Sequence, residues 1–482
     1  MAVSPIRIRR LVAGFLATAL WAPLLLPIGL AGCRSRSTGE PLAPPNVFVV
    51  VIDTLRADRV GWYGGGVTDF LDTMAQHGSV FWNAYSPSSW TSPVVASLFT
   101  SRFPSQHGVA AYSSVLGAAE RTLAEELQAA GYATLGLTAN ILVNANQGYG
   151  QGFDRYQTYL GPIKERAPTL ARDALEWIDR TRAEPRSKPL FVYLQLMEAH
   201  EPWQPSPAAI ARLAARRGFD DARVAKLTAL ARDQPPLILM SAEEIDLARD
   251  LYDAEIGSAD AELRDFFAAL AQRGLLENSL VIVTADHGEE FHEHGRLGHG
   301  HTLYNEVIHV PLLIALPGQR ARVDVRDVVS LIDLAPTVLA TAGVAAPDTF
   351  EGRSQLPMLQ RGPLLRWLYA GFGRLKAPTS AYSEMGDFRA TDEQPKLHAR
   401  ALVVGAHKLI ERRDDRHEGY DLAADPGEHQ ADGLSAEIDA ALHADIGRLQ
   451  QRLERNPSAA RTQSVDADTR ERMRALGYDE RP

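Results

Sequence analysis

The chain has 482 residues, 45% of them hydrophobic and 23% charged, with a formal net charge of -10 and a pI near 5.8. That length calls for one large domain with a smaller partner, and the composition is that of a globular protein rather than a fibrous or disordered one. The acidic balance excludes a general nucleic-acid-binding surface, while leaving room for a local basic pocket that takes an anionic substrate.

The first 33 residues differ from the rest. Arg7, Arg9 and Arg10 make a positive start, Leu11 to Leu30 carries no charge, and Leu30-Ala31-Gly32-Cys33 closes the segment with small residues. This order describes an export signal, and its ending resembles a bacterial lipobox. In signals of that type the cysteine receives lipid and becomes the mature N-terminus. Cys33 is therefore the expected lipidation site. The expected location is the cell envelope, lipid-anchored on the extracytoplasmic side, with the membrane as a partner. A plain membrane-spanning helix is the alternative, and Pro23, Pro27 and the lipobox weigh against it. Cys33 is the single cysteine. The body of the protein thus has no disulfide, no cysteine metal site and no thiol nucleophile. Residues 34–45 read as a tether.

Asn46 to Asp53 is an almost unbroken apolar run that ends in an acid. A run buried on both faces predicts a central parallel strand. The pattern recurs at Ala133 to Asn140, Leu190 to Leu196, Leu280 to Thr284 and Val310 to Leu316. Helical periodicity lies between: Arg121 to Ala130 closed by Gly131, Thr169 to Arg182, and Ala242 to Arg273 closed by Gly274. Alternating strands and helices predict an α/β fold, an α/β/α sandwich with a mostly parallel central sheet. Val328 to Gly343 reads as a helix that ends the main domain. Arg400 to Ile410 and Gly419 to Leu422 read as short strands, and Ala436 to Arg455 as an amphipathic helix with Ser435 at its N-cap. The expected division is a catalytic domain at 46–364, a C-terminal α+β subdomain with an antiparallel sheet at 365–455, and a polar, loosely packed tail at 456–482.

Polar residues collect at the predicted strand ends, where such sheets bind ligands. Asp53 is costly at the end of a buried strand unless it is paired or holds a metal. Asp286 and His287, followed by the turn-permitting Gly288, suit zinc or manganese. Most of Glu289 to His294 behind them reads as a solvated loop. In Ser89 to Leu98, Pro93 fits a helix first turn and Thr91 reads as the N-cap. The same hydroxyl, at a helix N-terminus and beside a metal, is a candidate nucleophile. His200, His299 and His301 each lie near a predicted strand and are candidates to bind an oxyanion or protonate a leaving group. Gln147 to Gln157 and Trp203 are candidates for shaping the pocket.

Taken together and in order, these segments resemble the alkaline-phosphatase superfamily, most closely its sulfatase branch. The carrying pieces are Val-Val-Ile-Asp-Thr-Leu-Arg-Ala-Asp at 50–58, Thr-Ser-Pro-Val-Val-Ala-Ser-Leu-Phe-Thr-Ser-Arg-Phe-Pro-Ser-Gln-His-Gly at 91–108 and Thr-Ala-Asp-His-Gly-Glu at 284–289. Gly-His-Gly-His-Thr-Leu-Tyr-Asn-Glu from 298, Asp-Leu-Ala-Pro-Thr at 333–337 and Tyr-Asp-Leu-Ala-Ala-Asp-Pro-Gly-Glu at 420–428 follow. The resemblance implies a divalent metal on Asp53, Asp286 and His287, with Thr91 as nucleophile touching it. It also implies that His200, and His299 or His301, contact the transferred anion of an ester substrate.

The departures alter the expected chemistry. Typical sulfatases carry Cys-x-Pro-x-Arg, whose cysteine becomes formylglycine. Here Thr91 and Val95 stand at the cysteine and arginine positions, Thr54 replaces the second of paired aspartates, and His287 stands where many have asparagine. The site moves from a calcium-type or magnesium-type oxygen cage toward zinc or manganese. Formylglycine hydrate expels sulfate by reforming its aldehyde, whereas a threonine ester must be attacked by water or an acceptor alcohol. The expected activity is hydrolysis of phosphate or sulfate esters through Thr91, with phosphoryl chemistry favoured. A phospho-headgroup transferase of envelope glycans or lipids and an inactive binding protein of the same fold are the alternatives.

Overall fold

The computed structural model describes residues 43–160, 166–184, 188–360, 379–386, 397–455, 461–462 and 467–475. The expected signal, Cys33, most of the tether and the boundary expected at 364/365 lie outside them. From Pro44 onward the chain belongs to one compact unit. No described helix is long and apolar enough to cross a membrane.

Eight strands build the main sheet: β1 (Asn46–Ile52), β2 (Ser79–Tyr85), β3 (Ala133–Thr138), β4 (Arg155–Thr158), β5 (Leu190–Leu196), β6 (Ser279–Thr284), β7 (His309–Ala315) and β8 (Val323–Ser330). Their order is β8-β2-β7-β6-β1-β5-β3-β4. Only β7 runs against its neighbours, β6 and β2. Residues 47–52 of β1 and every residue of β3, β5 and β6 are buried. Burial on both faces explains why these strands read as continuous apolar runs.

Helices cover the sheet in two groups, completing the α/β/α sandwich. One group contains α1 (Thr91–Thr100), α2 (Leu123–Ala129) and the helix Leu334–Ala342. The other gathers Ala167–Arg182, Pro207–Arg217 and Asp221–Arg232 around a 31-residue helix, Ala242–Gln272. Ser241 and Glu244 form a capping box at the start of that long helix.

Two strands differ from the sequence expectation. Val328 to Ser330 is the end of β8, not a helix start, because Val328, Val329 and Ser330 pair with Asn83, Ala84 and Tyr85 of β2. The helix begins only at Leu334, after a turn capped by Ser330 and Asp333. The partner strand β2 was itself not legible, since Trp82 and Asn83 interrupt its apolar pattern.

A second, antiparallel sheet contains β9 (Ser380–Gly386), β10 (Leu397–Val404), β11 (His407–Arg412) and β12 (His417–Asp421) in sequence order. The helix α3 (Ala436–Leu453) packs on it, with Ser435 as N-cap. Ala381, Ala399, Ile410 and Tyr420 share one apolar cluster with Tyr85, Leu303, Val307 and Val328 of the main body. The tail contains more order than its polarity suggests. Arg461–Thr462 pairs with Ser114–Val115, and Met473 is buried against Trp90, Ile141 and Leu142.

A buried ion pair links the two sheets. Lys408 Nζ of β11 lies 2.6 Å from Glu428 Oε1, with both side chains fully buried. Lys408 Nζ also donates to Asn305 Oδ1 at 3.1 Å, and the Glu428 carboxylate accepts from the Asn305 backbone N–H at 2.5 Å. Removing one partner strands the other charge in an apolar surround, at a cost of about 3–5 kcal/mol. Lys408→Met is expected to lower the thermal midpoint by several degrees. The double variant Lys408→Met/Glu428→Gln should recover part of that loss in calorimetry. Equal stability of wild type and Lys408→Met would show that the pair does not anchor the second sheet.

Candidate active site

Strand register assembles the site. β1 pairs in parallel with β6 through Val51↔Thr284, so Asp53 and Asp286, each two residues further on, emerge side by side. On its other edge β1 pairs with β5, which brings Gln195 opposite Val51, and Thr138 of β3 lies opposite Gln195. The carboxyl ends of four adjacent strands thus deliver Asp286, Asp53, Gln195 and Asn140 to one place. Ligands of open α/β sheets bind in this position.

The turn after Asp53 is strained. Thr54 holds φ 58, a left-handed conformation that a β-branched residue rarely adopts. Its N–H thereby donates to Asp286 Oδ1 at 3.2 Å, and its carbonyl accepts from Tyr252 Oη of the long helix at 2.7 Å. Asp53 Oδ2 accepts from Asn140 Nδ2 at 2.7 Å and from Gln195 Nε2 at 3.0 Å. Asp53 Oδ1 and Asp286 Oδ2 have no hydrogen bond, although both side chains are fully buried. His287 Nδ1 donates to the Gly288 carbonyl at 2.9 Å, so its Nε2 presents a lone pair. That nitrogen lies 4.0 Å from Asp53 Oδ1 and 3.5 Å from Asp286 Oδ2.

These donor atoms all lie within 4.8 Å of one another. Two carboxylate oxygens without a hydrogen bond and one imidazole nitrogen, gathered in a buried space, fit a divalent cation. The mixed oxygen and nitrogen set suits zinc or manganese better than calcium or magnesium. Without a cation the carboxylates resist ionisation. Burial, then repulsion from Asp286, pushes the Asp53 carboxyl up to about 8. Burial pushes Asp286 up to about 7.

Thr91 comes to the same cluster. Its Oγ1 lies 3.2 Å from His287 Nε2 and 3.4 Å from Asn140 Nδ2. It is not the N-cap that the sequence suggested. Trp90 occupies that position in extended conformation, and Thr91 is the first residue of α1 with its side chain turned to the cluster. The helix start is fixed by Ser92, whose Oγ donates to the Leu142 carbonyl at 3.0 Å and whose own carbonyl accepts from Tyr149 Oη at 2.7 Å. The free N–H groups of this first turn and the helix dipole favour an anion beside Thr91.

His299 and His200 complete the group. The ribbon formed by Glu290–Phe291 and Leu297–Gly298 sets Glu289 opposite His299. His299 Nδ1 and Glu289 Oε1 are 3.0 Å apart. The Gly300 N–H donates to the Ser89 carbonyl at 2.8 Å, which holds this loop against the segment before Thr91. The His299 ring lies 4.4 Å from that of His287 and 5.1 Å from that of His200, centroid to centroid. His200 Nδ1 donates to the Glu201 carbonyl at 2.6 Å. His301 Nε2 lies 3.9 Å from Glu290 Oε2.

Several expectations change. Glu289 and Glu290 are fully buried and are not part of a solvated loop, although His292 is exposed. Trp203 is a fully buried core residue packed on Phe291 and Tyr252. Asn140 and Gln195 escaped sequence reading. The one available signal was Asn140 closing an apolar run as Asp53 does. Gln195, inside a buried strand, gave none beyond being a polar residue at a core position. A cavity of about 1060 Å³ lies elsewhere, lined by Arg56, Tyr85, His309, Arg326 and His429 among others, and includes none of the cluster.

Comparison with known proteins bears on family and fold. A family model described as "Sulfatase" matches residues 45–344, and one described as "N-sulphoglucosamine sulphohydrolase, C-terminal" matches 293–454. The chain is similar to arylsulfatase K of Canis lupus familiaris, 29% identical over 390 residues that cover 71% of each protein. Its fold resembles a structure solved in complex with its substrate D-glucosamine-2-N,6-O-disulfate, with TM-score 0.65, 19% identity, and coverage of 91% of this chain and 99% of that one. It also resembles the phosphonate monoester hydrolase of Agrobacterium radiobacter, with TM-score 0.64, 18% identity, and coverage of 87% and 100%.

The raised carboxyls give a signed pH dependence. Unfolded, each aspartate titrates near 3.8. A carboxyl whose folded value lies higher supports the fold fully below its unfolded value, and the support is lost as pH rises through the folded value. Metal-stripped protein should therefore lose stability up to about pH 8. Buried His107, pushed down to about 3, gives a slope of the opposite sign that has largely vanished by about pH 7.5. Between about pH 7.5 and 8.5, the chelated wild type should melt lower as pH rises, and Asp53→Asn, or zinc or manganese, should reduce that slope to the part left by Glu290, raised to about 7, and His294, raised to about 9. A wild-type slope unchanged by Asp53→Asn would remove the two carboxylates as its cause.

Proposed function

This chain belongs to the sulfatase family, and on that premise we propose a divalent-metal-dependent ester hydrolase that works through a covalent intermediate on Thr91. Hydrolysis of sulfate or phosphate esters is the family's activity. The observation that carries the finer reading is the 3.2 Å approach of Thr91 Oγ1 to His287 Nε2, beside two carboxylate oxygens that have no partner.

When bound, a divalent cation among Asp53, Asp286 and His287 would lower the pKa of the neighbouring hydroxyl and draw charge from the transferred anion. Asn140 and Gln195 hold Asp53 in place through Oδ2, which leaves Oδ1 directed at the cation position. Thr91 gives its hydroxyl proton to solvent water, and Oγ1 bonds to the phosphorus or sulfur as the bond to the ester oxygen breaks. The leaving oxygen takes a proton from an imidazole. His299 is the better placed donor, because Glu289 on Nδ1 fixes the ring as a carboxylate fixes a catalytic histidine. Water then attacks the same phosphorus or sulfur. Oγ1 leaves, regains a proton, and inorganic anion is released.

Phosphate esters are the favoured substrates. A threonine ester cannot collapse to an aldehyde, so its release depends on attack by water, and the site holds no oxidisable cysteine to provide another route. The second reading, sulfate ester hydrolysis on a glycan, is favoured by the likeness to arylsulfatase K and to a structure with a disulfated glucosamine substrate. In either case the enzyme is proposed to act at the envelope, tethered through lipid on Cys33. Support for this is the charged, apolar and small-residue order of residues 1–33.

Thr91→Ala is expected to lower turnover by roughly four orders of magnitude, while metal content stays at the wild-type level. Intact-mass analysis of rapidly quenched enzyme with an aryl phosphate should show a phospho adduct on the peptide containing Thr91. A sulfo adduct formed faster from an aryl sulfate would establish the second reading, and full activity of Thr91→Ala would end both. Cys33→Ala should shift the protein from the detergent-extracted membrane fraction to the soluble fraction. Unchanged partitioning would dismiss the lipid tether.

A further inference from the structure

A second set of metal-ligating side chains lies in the C-terminal sheet, far from the catalytic cluster in sequence. His417 opens β12, and Asp439 and His443 stand one turn apart on α3. Their ligand atoms lie within 4.8 Å of one another, and among the described residues only this group and the Asp53 cluster do so. His417 Nε2 is 3.7 Å from Asp439 Oδ2, and His443 Nε2 is 3.6 Å from the same oxygen. The two rings are 4.7 Å apart, edge to face at 85°.

We propose that His417, Asp439 and His443 form a zinc site that clips helix α3 to the C-terminal sheet. Ligands held about 2.0–2.1 Å from a tetrahedral zinc sit about 3.3–3.5 Å from one another. The two distances to Asp439 Oδ2 exceed this by a few tenths of an ångström, within the reach of a χ adjustment on a helix face. The tautomer is also set. Glu411 of β11 lies 2.5 Å from His443 Nδ1, so that nitrogen donates to the carboxylate and Nε2 turns its lone pair to Asp439 and His417. A carboxylate behind a ligating histidine is the usual support of a zinc ligand.

The donor set argues for zinc over calcium or magnesium. Two imidazoles and one carboxylate suit a borderline ion, whereas the harder cations require more oxygens. His417 is about half exposed, with its side chain at 49%, so the fourth position opens to solvent. The ion has a structural task. Leu442, Ile446 and Leu453 are the buried apolar residues of α3, and of these only Leu442 lies with Asp439 and His443 in the first half of the helix. An ion bound by the folded state alone stabilises it by mass action.

The test uses the full chain, purified without a histidine tag. Asp53→Asn/Asp286→Asn disables the catalytic cluster, so that any zinc bound belongs elsewhere. After chelation and dialysis against zinc chloride, this parent should retain one zinc per chain by elemental analysis, and zinc should raise its thermal midpoint. Adding His443→Ala or His417→Ala should remove the bound zinc and the thermal shift. Glu411→Gln should weaken binding by roughly ten- to a hundredfold. If an alanine variant fails to fold by circular dichroism, Asp439→Asn, at a partly exposed position, gives the same reading. A parent that retains no zinc, or a folded His443→Ala or Asp439→Asn variant that binds as its parent does, overturns the proposal. Failure here leaves the role of Thr91 untouched, because the parent already lacks that cluster.

Discussion

Two carboxylates buried side by side cannot both remain ionised unless positive charge stands between them. The parallel pairing of β1 with β6 imposes this condition on Asp53 and Asp286, and neither can move away without breaking the register of the central sheet. The surroundings hold the pair in place. Asn140 and Gln195 hold one oxygen of Asp53, the strained Thr54 directs its N–H to Asp286, and Tyr252 pins that turn from the longest helix. Structural strain and buried charge are concentrated where a cation would relieve them.

The hydroxyl beside this cluster is the proposed nucleophile. Thr91 starts a buried helix, and its neighbours Ser92 and Tyr149 lock the first turn. A nucleophile on a rigid helix start loses little entropy in reaching its target and has backbone N–H groups ready for the anion's oxygens. The 91–108 segment also carries residues whose part is structural. His107 is buried and bonded to Ser97 Oγ at 3.0 Å, and Arg102 forms a buried pair with Glu120 at 2.7 Å. A motif thus mixes chemistry with scaffolding, and only contact with the cluster separates them.

The C-terminal sheet is part of the same compact unit. It shares an apolar cluster with the end of β2 and the 303–308 segment, and the Lys408–Glu428 pair reaches Asn305, six residues beyond His299. The loop that carries His299 therefore lies between the Asp286–His287 turn and the second sheet, so the stability of the latter bears on the site.

The sequence by itself determined the parallel α/β core, because strands buried on both faces must be written as unbroken apolar runs. It also pointed to Asp53 and Asp286, since a carboxylate closing such a run conflicts with burial unless it has a task, to His287 next to Asp286, and to Thr91 as a hydroxyl at a helix start. It could not separate strand from helix at Val328 to Ser330, where a short apolar run fits both periods and the partner strand β2 decides. It could not choose between His299 and His301, which stand two residues apart. The ribbon at 290–298 sets the first beside Glu289 and the rings of His287 and His200. The bonds of Asn140 and Gln195 to Asp53 became visible only in three dimensions, because hydrogen bonds between residues 87 and 142 positions apart leave no trace in local pattern. Periodicity records what each segment buries, and tertiary pairing alone decides which polar ends meet.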